Sequence, residues 1–116
     1  MYSDIYRREE IALKLHYMCK RDEKVFQNER LILREYNKLA DKIMNRLSEL
    51  RAAESLEDIP NVPPPRRHKL TGNYQNCWGV DVSKNQRIVI EPYGDFDIMD
   101  LKTIKEVKIV KIEDYH

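Results

Sequence analysis

The sequence predicts an α+β fold in which two helices lie across a small, mostly antiparallel sheet. Three observations predict it. Apolar residues recur at helical spacing from about residue 22 to residue 51, and beyond residue 77 the period changes to two. Between these stretches Pro60-Asn61-Val62-Pro63-Pro64-Pro65 can continue neither pattern. A chain of 116 residues with a 41% hydrophobic fraction fits a single domain, residues 1–116, with one modest core.

Taken in order, Ile11, Leu13, Leu15 and Tyr17 alternate with Ala12, Lys14 and His16, the repeat of a half-buried strand that turns His16 outward as a surface histidine. Asp22 is placed to cap a helix carrying Val25, Phe26, Ile32, Leu33 and Tyr36 at spacings near three, four and seven. That pattern breaks at Tyr36-Asn37. In the next helix Leu39, Ile43, Leu47 and Leu50 form an apolar stripe, and Asp41, Lys42, Asn45, Arg46, Glu49 and Arg51 cover the rest. Ser55, three residues before Asp58, is placed to cap one more short turn that Pro60 stops. The proline run reads as a stiff, extended crossover. After it, Trp78, Val80 and Val82 alternate with Cys77, Gly79 and Asp81, and Ile88 and Ile90 with Arg87, Val89 and Glu91, with Lys84-Asn85 as the turn. The phase of Trp78 assigns it to the core. Pro92-Tyr93-Gly94-Asp95 ends the second of these strands, and Val107 to Ile112 reads as a central strand, apolar on both faces. The order is strand-helix-helix followed by three or four strands.

Charged residues make up 35% of the chain, 21 basic against 20 acidic, so the overall field does not select nucleic acid and any basic site must be local. Cys19 and Cys77 are far apart and lack CxxC spacing, which argues against a disulfide framework or zinc site and reads as two buried thiols in a reducing cytoplasm. No apolar run approaches the ~20 residues that span a bilayer, and Asp4, Arg7, Arg8, Glu9 and Glu10 are unlike a signal peptide. A soluble, cytoplasmic protein with no membrane contact is expected.

Residues that carry chemistry gather in two places. The run Glu113-Asp114-Tyr115-His116 puts an acid, a phenol and an imidazole where a chain end usually frays, which points to a strand docked beside a site. Between residues 60 and 87, Arg66, Arg67, Lys69, Lys84 and Arg87 stand against Asp81 alone. His68 lies inside that positive field, which attracts an anion and suits it to a base or a phosphate donor. Gly72 serves a turn, and Tyr74 in the loop after it is placed to stack on a base.

In this order, His68-Lys69-Leu70-Thr71-Gly72-Asn73, Trp78 at a strand head, Asn85-Gln86-Arg87 opening the next strand and the terminal Asp114-Tyr115-His116 resemble the HigB branch of the RelE-like toxins. The amphipathic helix running into Leu50 to Asp58 adds to the likeness, which covers residues 11–116 and leaves 1–10 as an unassigned extension. The resemblance implies a RelE-like fold and the toxin role of a bacterial type II toxin–antitoxin module. It implies a HigA-like helix-turn-helix antitoxin, held in a higher-order heteromer. The implied activity is that of a ribosome-dependent mRNA interferase, an endoribonuclease that inhibits translation by cutting mRNA in the ribosomal A site, with neither metal nor cofactor.

Such cleavage takes a proton from the 2′-hydroxyl, stabilises charge on the phosphoryl oxygens and gives a proton to the 5′-oxygen. The catalytic set implied is His68, Arg87, Asp114, Tyr115 and His116, with no metal ligand, and Arg66, Arg67, Lys69, Tyr74 and Lys84 are the RNA-binding set. His68 and His116 are the two candidates for the proton steps, in either assignment. Asp114 orients an imidazole or helps carry a proton, Tyr115 stacks on a base or donates to phosphate, and the planar fork of Arg87 seats the scissile phosphate. Thr71 stands where family members often carry Lys, Gln86 where they often carry an aromatic, and the net charge of +1 is low for them. These departures sustain a second expectation, a catalytically weak or inactive module of the same fold that acts by binding an antitoxin or RNA.

Overall fold

The computed structural model describes residues 12–114. Five strands form one sheet in the order β1-β5-β4-β3-β2, with β1 at Lys14–Tyr17, β2 at His68–Lys69, β3 at Trp78–Asp81, β4 at Gln86–Pro92 and β5 at Glu106–Asp114. β1 runs parallel to β5, and the other pairings are antiparallel. A parallel pair needs a long crossover. The helices α1 (Lys20–Phe26), α2 (Glu29–Tyr36) and α3 (Ala40–Ala52) begin that crossover. The α+β layer expected from the sequence is therefore the fold.

The apolar stripe of α3 holds it together. Ala40, Ile43, Leu47 and Leu50 pack in one cluster with Val80, Val82, Ile88, Ile90, Val107 and Ile109, alternate residues of the strands and the turn after β3. Phe26 and Ile32 join from the other two helices. Helix residues and strand residues thus share one core, and the proline run joins its halves.

Several expectations need correction. The first helix is broken in two. The Asn28 side chain accepts from the Leu31 amide at 3.2 Å and caps α2, a local bond that competes with continuing the helix. The break leaves Ile32 buried and Leu33 56% exposed. Cys19, not Asp22, is the N-cap of α1, and Asp22 lies in its first turn. Cys19 is exposed, whereas Cys77 is buried; burial first, and Glu91 second, push the Cys77 thiol up from its ordinary pKa. Arg46 does not cover an outer face. It is 7% exposed, and its Nε donates to the Asp81 carbonyl at 2.9 Å. His16 is not an unpaired surface histidine. Its Nε2 lies 2.7 Å from Glu106 Oε1, and its ring packs on Tyr93 at 4.1 Å.

The predicted break after Tyr36 is present, with Asn37 in the left-handed region at φ 48°. The turn after Ser55 spans Leu56–Asp58, but no Ser55 side-chain bond caps it, and Asp58 accepts instead from the Glu54 amide at 2.9 Å. The proline segment folds back where an extended connector was expected: the Arg66 and Arg67 amides reach the Val62 and Pro60 carbonyls at 3.0 and 2.9 Å. β5 is an interior strand, as expected, yet it is not apolar on both faces, because Lys108 stands between its buried Val107 and Ile109, and Lys111 is exposed. Ile11, Tyr115, His116 and the 1–10 extension lie outside the described residues. Among the described residues, no helix is long and apolar enough to cross a membrane.

Leu47 is 1% exposed between α3 and the sheet. Leu47→Ala should destabilise the protein by about 2–5 kcal/mol, read as a lower urea midpoint at unchanged slope. The raised thiol pKa leaves Cys77 with less thiolate near neutrality, so a thiol reagent should label Cys19 quickly and Cys77 only on unfolding. Equal labelling rates in native protein, followed by mass spectrometry, would contradict that burial.

Candidate nucleic-acid interface

Because successive side chains alternate across a strand, the register that buries Val80, Ile88 and Ile109 fixes what the sheet's other face presents. A small second cluster, Leu70, Cys77 and Val89, supports that face, with Tyr74 and Val110 packed against it. Beside it the polar residues stand in rows. Asp81, Arg87 and Glu113 are direct cross-strand partners on β3, β4 and β5. One step along, His68, Gly79, Val89 and Lys111 form the next row across β2 to β5.

The outer row is an ion-pair ladder. Arg66, in the left-handed region at φ 42°, sends Nε and Nη2 to the two oxygens of Asp81 at 2.6 and 3.2 Å. Arg87 sends Nε and Nη2 to a single oxygen of Glu113 at 2.8 and 2.6 Å. The Arg87 and Glu113 side chains are 16% and 14% exposed, so this pair is largely removed from water. Lys111 Nζ lies 3.9 Å from the other oxygen of Glu113 and 5.9 Å from the Tyr74 ring centre. A register shift between Val89 and Ile90 brings Lys111 opposite Val89. Arg87 is therefore a largely buried, ion-paired arginine at the strand start.

His68 is set by two contacts. Its Nδ1 lies 2.7 Å from the Arg66 carbonyl oxygen, which can only accept, so the neutral ring carries its proton on Nδ1 and offers the Nε2 lone pair. The ring lies over Gly79, where a Cβ would meet His68 Cε1 at 2.9 Å and Nε2 at 3.0 Å. Any other residue at 79 would move the imidazole.

The remaining candidates are divided between the faces. Arg67 and Lys69 alternate with His68 and flank Trp78, with Arg67 Cζ 5.4 Å and Lys69 Nζ 6.0 Å from the ring centre. Arg67 Nε donates to the Ile59 carbonyl at 2.8 Å, and burial lowers its guanidinium pKa, with Glu57 opposing. Lys69 Nζ donates to the Gln75 carbonyl. Trp78 packs against the main core, as its phase implied, and remains half-buried. Lys84 is exposed at the β3–β4 turn. Asp114 alternates with Glu113 and so projects from the other side of β5, where Gln86 Nε2 donates to it at 3.4 Å. The structure thus places Arg66, His68, Tyr74 and Arg87 on one face of the sheet and Arg67, Lys69 and Asp114 elsewhere. Sequence reasoning assigned no role to Glu113 or Lys111 and counted Asp81 only as a lone acid. A period-two register drawn between Asp81, Arg87 and Glu113 is the signal that links them.

The same arrangement, a two-faced sheet with a helical layer on one side, is found in a solved toxin structure. The YoeB/ParE toxin from Agrobacterium tumefaciens superposes with a TM-score of 0.53 at 12% identity, over 89% of this chain and 99% of its own. The YoeB-YefM complex from Staphylococcus aureus gives 0.47 at 17% identity, and the heterotetrameric YoeB-YefM complex from the same organism 0.48 at 16%, each over 90% of this chain and 97% of the other. No protein-family model and no curated protein sequence matches the chain. The likeness is one of fold, and it is the RelE-like α+β fold that the motifs implied.

Gly79→Ala should overfill the contact with His68 and Leu70 and destabilise the protein by about 1–3 kcal/mol. The His68 ring resonances should shift in the same variant, and unchanged spectra with unchanged stability would show that the ring is free to move aside.

Proposed function

We propose that this chain is the toxin of a type II toxin–antitoxin pair, and that it is a metal-independent endoribonuclease of HigB type that cuts mRNA in the ribosomal A site. The observation that carries the reading is the tautomer of His68 set by the Arg66 carbonyl, on the same sheet face as the Arg87 guanidinium. With Nδ1 held by the Arg66 carbonyl, the Nε2 lone pair of the neutral ring is the one to take the 2′-hydroxyl proton, which makes His68 the base. Arg87 neutralises charge developing on the phosphoryl oxygens, and Arg66 and Lys111 add to the field across the face. Tyr74 offers a stacking surface. Asp114 is assigned to orienting the terminal imidazole, Tyr115 to stacking or a phosphate hydrogen bond, and His116 to protonating the leaving 5′-oxygen. The chemistry asks for no metal and no cofactor. The partner is a HigA-like helix-turn-helix antitoxin in a higher-order heteromer, and the place of action is the cytoplasm.

One observation favours a second reading. Arg66 and Arg87 are each neutralised by a carboxylate, and Thr71 supplies no cation, which is the condition of a module that binds a partner or RNA without turnover.

Induced alone in a bacterial culture, the chain should arrest growth and truncate mRNA on ribosomes, and its antitoxin should relieve the arrest. His68→Ala should lower the single-turnover rate on programmed ribosomes by at least ~100-fold, the low end for one positioned acid or base. Normal growth with abundant folded protein, or an unchanged rate for the variant, would favour the non-catalytic module.

A further inference from the structure

We infer that Glu113 is a positioning residue that occupies the phosphate seat of Arg87, so that an RNA phosphate enters by exchange, with Lys111 receiving the displaced carboxylate. The inference rests on the reading that this face binds RNA. Both donors of Arg87 that a phosphate would take, Nε and Nη2, converge on one oxygen of Glu113, at 2.8 and 2.6 Å. A carboxylate held by a guanidinium fork presents the negative charge and acceptor oxygens that a phosphodiester would bring, so Glu113 mimics the substrate anion. The contact also aims the fork, because Arg87 and Glu113 are direct cross-strand partners and both are largely withdrawn from water.

Displacing Glu113 with nothing to receive it would leave a carboxylate at 14% exposure without a cation, which is unfavourable. Lys111 removes that obstacle. Its Nζ is 3.9 Å from Glu113 Oε1, the oxygen that Arg87 does not hold, and so stands where a small rotation of the carboxylate completes a close ion pair. Neighbouring acids cannot make the same exchange: Asp81 is held by Arg66 through both oxygens, and Glu91 lies 3.6 Å from Lys108. The arrangement raises the threshold for weak anions and favours a ligand that brings stacking or further phosphate contacts along with its charge.

The test compares wild type with Glu113→Gln, which keeps the shape of the side chain and removes its charge. The probe is a single-stranded RNA whose 2′-hydroxyls are methylated, so that binding is read without cleavage. Glu113→Gln should bind it about tenfold more tightly, the factor for one charge-assisted hydrogen bond of ordinary strength, and Arg87→Ala in the same background should abolish the gain. Lys111→Met should weaken binding by a larger factor in the wild-type background than beside Glu113→Gln, where no carboxylate needs a partner and only its share of the field is lost. Equal losses in the two backgrounds would make Lys111 a plain phosphate contact and overturn the exchange, as would equal or weaker binding by Glu113→Gln. If that variant fails to fold, Glu113→Asp, which draws the carboxylate back by one methylene, should tighten binding by a smaller factor, and unchanged affinity would overturn the inference.

Inorganic phosphate separates this inference from the reading beneath it. Greater thermal stabilisation of Glu113→Gln than of wild type by phosphate, with no RNA binding by either, would uphold the exchange at Arg87 and reject RNA as the ligand. RNA bound with equal affinity by both proteins would uphold the RNA reading and reject the exchange.

Discussion

The register between β3, β4 and β5 is the constraint on which the rest of the structure depends. Sliding one strand by a single residue would turn Ile88 or Ile109 away from α3 and bring Arg87 or Lys108 into the core. The hydrophobic face therefore holds the polar face in alignment. Arg87 meets Glu113 because Ile88 meets Ile112. The charged ladder contributes little to choosing that register; it inherits the alignment from the apolar residues beneath it.

Within this frame the position of His68 depends on an absence of side chain. β2 is only two residues long, too short to orient a ring by pairing alone. The ring is held instead from both ends, by the Arg66 carbonyl and by the bare backbone of Gly79. Arg66 in turn is in a backbone conformation that few side chains adopt, and its guanidinium is tied to Asp81. Arg46, reaching from α3 to the Asp81 carbonyl, links the helical layer to the same strand end.

Much of the fold was legible in the sequence, because burial imposes a period. The stripe Ile43, Leu47 and Leu50 and the alternations around Val80, Ile88 and Ile90 are set by the faces they bury, and each appears in the core. The split between α1 and α2 was not legible, because Asn28 makes its cap through one local bond that leaves the apolar spacing intact. The candidate site was legible only as residue types. His68 and Arg87 carried their chemistry in their names, but nothing local in the sequence connects Arg87 with Glu113 or His16 with Glu106. Those pairs arise from strand register, a long-range property. The same limit explains the misjudged proline run, whose return toward β3 is fixed by the bond from the Asp81 amide to the Pro65 carbonyl.

The parallel pairing of β1 with β5 has a consequence for the order of assembly. His16 and Glu106 meet across a separation of 90 positions, and the first strand has no partner among the described residues until the last one is made. Local helices can form early, but closing so long a loop is the slow step in folds rich in non-local contacts. While synthesis continues, α1 to α3 have only part of their sheet to cover and the row from Asp81 through Arg87 lacks Glu113. During translation the protein therefore passes through a period in which its apolar helix faces are open to chaperones, and its charged face takes shape only as β5 arrives between β1 and β4.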